Sequence, residues 1–287
     1  IQNEINDKVI KIIRQFMDEE KISAYDENTG KGLIRNVMLR DGGLQRLALI
    51  CTTDLLSDDL KDALINLAKK HQINSLNYLV NDAKGNRILG DKSIVLFGNE
   101  YMQAELCGHL FNVRPHAFLQ VNPYATFELY KKAVAWCGEN KSALALDLCC
   151  GVGTMSLLLA AHFKKVIGVE IVEEAVAAAK ENARLNKYDN VSFIASDLKK
   201  VLSSLINENV KALIADPARA GLGEANCRAL NRLKGKVKLA LIFCSLTALK
   251  RDLPILLKGG WKIHQIQGVD MFPHSTHVET LVLLAKK

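Results

Sequence analysis

The sequence predicts an α/β fold, with a doubly wound parallel sheet in the larger part of the chain and a smaller α+β domain before it. From about residue 123 onward, apolar runs that resemble buried strands alternate with amphipathic segments, the pattern of a parallel sheet with helical crossovers. Before residue 100, helical spacing and a hairpin pattern indicate helices packed on an antiparallel sheet. We therefore expect two domains in this 287-residue chain, one over residues 1–100 and one over 101–287.

The elements of the smaller domain follow from the spacing of its apolar residues. Helices are expected over residues 1–20 and roughly 57–70, where apolar side chains recur at helical intervals. A hairpin turned at Asp41-Gly42-Gly43 joins two expected strands. Those strands and the ones that follow are placed at 36–40, 47–51, 76–80, 94–97 and 101–105.

The larger domain is predicted from a regular alternation of apolar runs and amphipathic segments. Its strands are expected at 143–149, 165–170, 191–195, 212–216 and 238–244. The helices between and after them are expected at 153–162, 172–186, 198–206, 224–233 and 247–257. Two further strands, joined by a loop with Pro and His, are placed at 260–270 and 277–285.

Composition and charge narrow the class of protein. Hydrophobic residues make up 49% and charged residues 24%, an ordinary globular balance, and no apolar run approaches the ~18 residues of a membrane span. The seven cysteines form no CxxC pairs, so we expect reduced thiols, no metal cluster and an intracellular, most simply cytoplasmic, protein. Residues 1–100 carry 14 Lys and Arg against 15 Asp and Glu, whereas residues 101–287 carry 24 against 16. This basic excess in the larger domain suggests a polyanionic partner.

Acidic residues end three successive strands of the predicted parallel sheet. Asp147 precedes the turn that contains Gly151 and Gly153, and glycines there bring backbone N–H groups close to a ligand. Glu170 ends the next strand, and Asp197 follows the third. Such acids suit the hydroxyls and amino group of a nucleoside, although each of them is also a residue that commonly caps a helix.

The turn after the first strand differs from a dinucleotide-binding turn. A dinucleotide site places a third glycine three residues after Gly153, and this chain has Ser156 there. An acid followed by G-x-G instead suits a cationic nucleoside without phosphates. The sequence therefore favours S-adenosylmethionine as the cofactor.

A second group of polar residues is expected at the same edge of the sheet. Asp216 ends the fourth strand and Cys244 the fifth, and ligands bind at the carboxyl ends of strands in open α/β sheets. If the last strand runs antiparallel, Glu279 at its start returns to this edge as a base beside the thiol. The alternatives are a buried apolar cysteine, an edge-strand charge at Glu279, and loop hydrogen bonds for His274 and His277.

The sequence resembles the RNA uracil-C5 methyltransferase family, which makes 5-methyluridine in tRNA and rRNA. The resemblance covers roughly residues 98–287, in the family's order, and is carried by Phe118-Leu-Gln120-Val-Asn122-Pro123, Asp147-Leu-Cys-Cys150-Gly-Val-Gly153-Thr, Asp216-Pro-Ala-Arg219-Ala-Gly221, Cys244 followed by Arg251-Asp252, and Phe272-Pro-His-Ser-Thr-His-Val-Glu279. It implies a class I S-adenosylmethionine-dependent methyltransferase fold with a Rossmann-like, seven-stranded sheet. It also implies an RNA substrate, with tRNA favoured over rRNA.

The resemblance assigns roles to individual residues. It implies Cys244 as the nucleophile, Glu279 as the general base and Asp216 as a residue that holds the uracil. Asp216 is also grouped with the cofactor site, together with Gln120, which is implied to contact the cofactor or the base. The residues expected on the substrate side are Phe118, Arg219 and His274.

This chain departs from the family pattern around the nucleophile. The family usually has Ser-Cys-Asn-Pro there, and this chain has Phe243-Cys244-Ser245-Leu246, while Arg251-Asp252 keeps its spacing. Residues 1–100 resemble only loosely the family's intervening domain, which we expect to contact RNA or to link domains. Two alternatives stay open: a methyltransferase for another RNA base, and an RNA-binding or RNA-folding protein on the same scaffold. We expect a monomer.

Overall fold

A computed structural model describes residues 4–83, 93–207 and 209–286 of the chain. The chain divides into two compact units. The smaller comprises the described residues up to Glu105 together with Leu110–Ala117, and the larger comprises Leu106–His109 and the chain from Phe118 onward. The first three residues of the helix predicted over 1–20 lie outside the described residues.

The smaller unit contains two helices and a four-stranded sheet of order β1-β2-β3-β4. The elements are α1 (Glu4–Glu19), β1 (Ile34–Asp41), β2 (Arg46–Thr52), α2 (Asp58–Lys70), β3 (Ser75–Val80) and β4 (Ile94–Gly98). The prediction of a purely antiparallel sheet is wrong, because β2 pairs with β3 in parallel. Helix α2 connects these two strands, and a helical crossover is what a parallel pair requires. Apolar residues of α1 and α2, such as Ile13 and Leu64, are buried in one core with Ile50 of β2.

A short hairpin follows the four-stranded sheet. Strands β5 (Met102–Leu106) and β6 (His109–Val113) form a two-stranded sheet. Their turn, Cys107-Gly108, has φ of 53° and 77°, and two positive φ values are typical of a tight hairpin turn. The sequence predicted β5 but not β6.

The larger unit is an α/β structure around a seven-stranded sheet of order β12-β13-β11-β10-β7-β8-β9. Its strands are β7 (Asn140–Asp147), β8 (Phe163–Glu170), β9 (Val191–Ala195), β10 (Val210–Ala215), β11 (Val237–Phe243), β12 (Lys262–Val269) and β13 (Glu279–Lys286). Its helices are α3 (Pro123–Cys137), α4 (Thr154–Ala160), α5 (Glu173–Leu185), α6 (Leu198–Leu205), α7 (Glu224–Leu230) and α8 (Leu246–Lys258). Strand β13 is antiparallel to both of its neighbours, and the other strands share one direction. The predicted doubly wound fold is confirmed.

The central strands are buried on both faces, which explains their continuous apolar sequences. In β11, Leu239 and Leu241 point into one core, and Ala240 and Ile242 point into the core on the other face. Helices lie over both cores, so the sheet is a middle layer between two helical layers.

Helix α3 lies on one face of the sheet and was not predicted. Asn122 caps it by accepting a hydrogen bond from the Ala125 N–H at 3.1 Å, and Pro123 occupies its first turn. Its buried residues, among them Leu129 and Tyr130, pack in the core beside Ile242. None of the helices in the described ranges is long and apolar enough to cross a membrane.

Candidate active site

Strand direction brings the predicted reactive residues to one edge of the sheet. Cys244 follows β11 directly, and Glu279 is the first residue of β13. These strands are antiparallel, and Phe243 pairs with Thr280. Cys244 follows Phe243 and Glu279 precedes Thr280, so Cys244 lies beside Glu279. The expectation that the last strand returns antiparallel is confirmed. Asp216 follows β10, the parallel neighbour of β11.

Cys244 opens into a cavity of about 320 Å³ at this edge. The other residues that line the cavity come from the loops after β10 and β11 and from the loop before β13: Arg219, Ser245, Leu246, Thr276, His277 and Val278. Cys244 is partly buried, so its thiol is reachable from the cavity while most of its surroundings are protein.

Ser245 explains how the unusual sequence around Cys244 is accommodated. Its side chain caps helix α8 by accepting a hydrogen bond from the Ala248 N–H at 3.5 Å. Asn, the family's usual residue at this place, and Ser are both good helix caps. The substitution therefore keeps a capped helix directly after the cysteine.

The charged groups around Cys244 have opposite effects on the pKa of its thiol. Burial raises the pKa of the Cys244 thiol, and the carboxylates of Glu279 and Asp216 raise it further. A backbone hydrogen bond and the charge of Arg219 lower it. The thiol is thus predominantly protonated in the free protein, and Arg219 is the side chain that favours the thiolate.

Glu279 is a buried carboxyl group with spare hydrogen-bonding capacity. Its side chain is only 4% exposed, and burial raises its pKa. Among the described residues, its buried Oε2 has no hydrogen-bond partner. A buried acceptor without a partner is unfavourable unless it serves a ligand or a proton transfer.

Asp216 is held by two donors from the other side of the site. Its Oδ2 accepts hydrogen bonds from Gln120 Nε2 and from the Tyr130 hydroxyl, both at 3.4 Å. Burial raises the pKa of Asp216 to about 7, and the neighbouring charge of Glu279 contributes. Near neutral pH this carboxyl group is therefore able to accept or to donate a hydrogen bond.

The Arg251-Asp252 pair fastens the loop after Asp216 to helix α8. Arg251 donates through Nη2 to the Ala220 carbonyl at 2.6 Å and through Nε to Asp252 at 2.7 Å. Buried Asp252 also accepts the Gly223 N–H at 3.2 Å. Gly221 has φ of +70°, and a Cβ there would lie 2.6 Å from the Asp252 carboxylate. These contacts explain why the two motifs keep their spacing: together they fix the loop that carries Arg219.

On the side of the site where the cofactor is expected, Glu170 accepts a hydrogen bond from the turn that contains Gly151 and Gly153, which we call the glycine turn. Its Oε2 accepts the Gly151 N–H at 3.1 Å, and its Oε1 accepts the N–H groups of Ile171 and Val172. Gly151 has φ of +51° with open space where a side chain would be. Gly153 has φ of +90° and lies against Phe193, so a side chain there would be crowded as well as strained.

Asp147 is fully buried at the end of β7. Its Oδ2 accepts a hydrogen bond from the Ser156 hydroxyl at 2.7 Å, so the residue that replaces the third glycine of a dinucleotide site supports this carboxyl group. Burial raises the pKa of Asp147 to about 7, and the Ser156 bond opposes that rise. Its Oδ1 has no partner among the described residues.

The other predicted site residues lie farther from these contacts. Asp197 caps helix α6 by accepting the Lys199 N–H at 2.9 Å, which is the structural role that the sequence left open. Phe118 is 72% exposed. His274 is exposed with φ of +66°, and His277 instead lines the cavity beside Cys244.

The residues at this edge fit a nucleoside that carries a positive charge and no phosphate. The glycine turn leaves open space at the Cβ position of Gly151, the Glu170 carboxylate accepts the Gly151 N–H, and the Asp147 carboxyl group ends the strand before the turn. Carboxylates accept hydrogen bonds from hydroxyls and attract a sulfonium, whereas they repel phosphate. The described residues contain no group of three or more His, Cys, Asp or Glu side chains arranged to hold a metal ion.

Sequence reasoning missed Tyr130 and gave His277 only a loop role. Tyr130 was missed because helix α3 was missed. Asn122-Pro123, a good cap followed by a residue suited to the first turn, was the available signal. His277 had no signal that distinguished it from His274, because the loop conformation decides which of them faces the cavity.

The seven-stranded sheet, with its antiparallel β13 and helices on both faces, has the class I S-adenosylmethionine-dependent methyltransferase fold. Residues 44–287 match the model of the tRNA (uracil-5-)-methyltransferase family. The chain belongs to that family.

Individual relatives agree with this assignment. The chain is 37% identical to proteins named uncharacterized RNA methyltransferases in Bacillus cereus and Halalkalibacterium halodurans, and each match covers all of this chain and 63% or 64% of the relative. It thus spans a little under two thirds of the length of these relatives. Its structure matches that of Pyrococcus abyssi tRNA (uracil-54, C5)-methyltransferase in complex with S-adenosyl-L-homocysteine, with a TM-score of 0.79 and 26% identity. That match covers 96% of this chain and 65% of the other.

Proposed function

We propose that this chain carries the catalytic part of an S-adenosylmethionine-dependent enzyme that methylates carbon-5 of uridine in RNA, with tRNA as the favoured substrate. The observation that carries the proposal is the placement of Cys244 beside Glu279, with Asp216 at the end of the adjacent strand. Membership of the family and the match to the Pyrococcus abyssi enzyme support the same conclusion.

The uracil ring needs a nucleophile before it accepts a methyl group. Carbon-5 is too electron-poor to react directly, so the Cys244 thiolate adds to carbon-6, and the C4–C5 unit becomes an enolate. Arg219 favours the thiolate needed for this addition, because its charge lowers the pKa of Cys244. S-adenosylmethionine would supply the methyl group from its sulfonium: the methyl C–S bond breaks as the electron-rich carbon-5 takes the methyl, and S-adenosylhomocysteine leaves as a neutral thioether.

Glu279 completes the reaction by removing the proton from carbon-5. The electrons of that C–H bond form the C5–C6 double bond, and Cys244 leaves as a thiolate. The unpartnered Oε2 of Glu279 is the acceptor for this proton. A raised pKa suits a general base, because it gives the carboxylate greater proton affinity.

Asp216 is proposed to hold the uracil edge. Gln120 and Tyr130 fix its orientation through their hydrogen bonds to Oδ2. With a pKa of about 7, it accepts from the uracil N3–H in one protonation state and donates to O4 in the other. A donor at O4 stabilises the charge that develops there when the thiolate adds.

The cofactor is proposed to bind along the glycine turn. Glu170 retains accepting capacity for ribose hydroxyls while it holds the Gly151 N–H, since a carboxylate accepts about four hydrogen bonds. Asp147 is linked to the start of helix α4 by its hydrogen bond from Ser156, and a sulfonium bound nearby would favour its ionised form. Asp197 stays a candidate for the adenine amino group.

The proposal is tested by incubating the protein with tRNA and S-adenosylmethionine and analysing the nucleosides produced. We expect 5-methyluridine. Cys244→Ala should lower the rate at least about 10³-fold, because carbon-5 has no other route to activation. Cys107→Ala removes another partly buried thiol of the same unit and should retain the rate.

Two other results would assign a different function. A methylated base other than 5-methyluridine, formed equally well by Cys244→Ala, would indicate direct attack by a ring or amino nitrogen. RNA and cofactor binding without methylation of any base would indicate an RNA-binding protein on this scaffold.

A further inference from the structure

The opposite edge of the seven-stranded sheet contains a cavity of about 890 Å³ that the proposed reaction does not use. It lies where β10 and β11 begin and where β13 ends, far from the carboxyl ends that hold Cys244 and Glu279. Four lysines line it: Lys211, Lys236, Lys238 and Lys286.

More lysines continue the charge along the same edge. Each lies within the first three residues of a strand that runs parallel to β11: Lys141 in β7, Lys164 and Lys165 in β8, and Lys262 in β12. We call these four and the four cavity lysines the lysine edge. From β12 to β8 the sheet crosses five strand-to-strand intervals, which is roughly 24 Å at the usual strand spacing.

Within the described residues, the cavity lining holds four lysines and one carboxylate. Glu139 is the carboxylate among the described residues that line the cavity, and it lies 3.9 Å from Lys141 Nζ. Lys238 lies over the Trp136 ring at 5.0 Å, and Lys286 lies over Trp261 at 5.8 Å. Aromatic faces thus position two ammonium groups without cancelling their charge. Like charges collected in this way repel each other, and an anionic partner relieves that repulsion.

We propose that the lysine edge is a second RNA-binding surface, which contacts the sugar–phosphate backbone of the substrate RNA away from the uridine that is methylated. This inference rests on the proposed function, because it takes RNA as the substrate. A polyanion with phosphates at regular intervals matches lysines that are spread over about 24 Å of one sheet edge better than a small anion does. The eight residues of β8 separate the two edges by roughly 26 Å, so only an RNA that extends well beyond its target uridine reaches both.

The lysine edge is tested with a triple variant, Lys164→Gln, Lys165→Gln and Lys236→Gln. All three side chains are exposed, so the fold tolerates their replacement. The matched control carries Lys→Arg at the same positions and keeps the charge. Binding of full-length tRNA to each protein is measured over a range of salt concentrations, along with kcat at saturating tRNA.

The Gln variant should bind tRNA more weakly and with a shallower dependence of log K on log salt. Each lost phosphate contact removes about 0.7 to 0.9 from that slope, so we expect a change between about 1 and 2.5. The Arg variant should keep the original slope, and kcat should be the same for all three proteins. A short oligonucleotide around the target uridine should bind the three proteins equally.

Several results would overturn the inference, and they separate it from the proposed function. If the unmodified protein methylates uridine and the Gln variant keeps its affinity and slope, the lysine edge does not contact RNA. The same holds if the Gln variant loses kcat and keeps its slope, or if the Arg variant loses as much affinity as the Gln variant. If the unmodified protein binds no RNA, both proposals fail.

Discussion

The two edges of the seven-stranded sheet carry opposite kinds of residue. At the carboxyl edge, Asp147, Asp216 and Glu279 are buried or partly buried, and burial raises the pKa of each. At the amino edge, lysines lie near the starts of the strands, and several of them, such as Lys164 and Lys236, are exposed. Groups that bind and transform a nucleoside must be desolvated, whereas groups that attract a polyanion act from the surface.

Individual strands show this difference along their own sequences. Strand β8 begins with Phe163-Lys-Lys and ends with Glu170, and β10 has Lys211 as its second residue and is followed by Asp216. Because the parallel strands share one direction, a residue type repeated at their starts gathers at one edge, and one repeated at their ends gathers at the other. The separation of acidic and basic residues between the two edges is therefore built into the order of residues in these strands.

Among changes to the groups around Cys244, Glu279→Gln should give the largest effect. Without a base at carbon-5 the methylated adduct cannot release Cys244, so turnover should fall about 10²- to 10⁴-fold. A protein–RNA adduct that withstands denaturant should accumulate with natural tRNA and S-adenosylmethionine. Gel analysis of denatured reactions measures it.

The matched change for Glu279→Gln is Glu139→Gln, which removes a carboxylate at the amino edge. It should leave turnover at saturating tRNA unaltered. Equal losses in the two variants, or rapid turnover by Glu279→Gln, would remove the proposed division between the edges.

Asp216→Asn should have a smaller effect on turnover and a measurable effect on stability. The amide cannot change its protonation state at the uracil edge, so we expect a loss of about 10- to 100-fold in kcat. Because burial raises the pKa of Asp216 to about 7, the folded protein keeps a proton between about pH 4 and 7 that the unfolded chain has lost. The stability contributed by this group therefore falls as pH rises through that window.

The variant removes that pH dependence. The difference in the free energy of unfolding, Asp216→Asn minus the unmodified protein, should become more positive by roughly 1 to 3 kcal/mol from pH 4 to pH 8. Denaturant unfolding at the two pH values measures the difference. A stability difference that is the same at both would show that Asp216 ionises normally in the folded protein.

Ser245→Ala should give the smallest effect and tests how the thiol is positioned. Loss of the α8 cap should lower the free energy of unfolding by about 1 kcal/mol. It should also lower kcat about threefold to tenfold, because Cys244 directly precedes the cap and small displacements of reacting atoms slow reactions. Ser57→Ala removes the equivalent cap of α2 and should cost similar stability with kcat unaltered.

If Ser57→Ala and Ser245→Ala lowered kcat equally, the effect would be one of global stability. If Ser245→Ala left kcat unaltered while lowering stability, the cap would not position the thiol.

Most strands of the larger unit were predictable because their sequences are rich in apolar residues. Strand β9 occupies the predicted residues 191–195, and β8 begins only two residues before its predicted start. Helix α3 was not predicted because Tyr124 and Phe127 are exposed apolar residues on its outer face, and they blur the helical pattern. In the smaller unit, the direction of β3 relative to β2 depended on the crossover by α2, which residue spacing alone did not reveal.

The sequence predicted which edge of the sheet holds the candidate site, and it did not predict the contacts between the residues of the site. Strand ends identify Asp216 and Cys244, and the direction of β13 adds Glu279. The hydrogen bond from Tyr130 to Asp216 joins residues 86 positions apart, and no local pattern records it. The choice of His277 over His274 as a residue that lines the cavity depends on the loop conformation, which includes a positive φ at His274.

The proposed attack of Cys244 on the target uridine is measured most directly with tRNA that contains 5-fluorouridine. With fluorine at carbon-5 there is no proton for Glu279 to remove, and fluorine cannot leave as a cation, so the adduct should persist. After incubation with S-adenosylmethionine and denaturation, mass spectrometry should locate the RNA on the peptide that contains Cys244. Recovery of unmodified protein from reactions in which tRNA and cofactor are both bound, or attachment at another cysteine, would contradict the account.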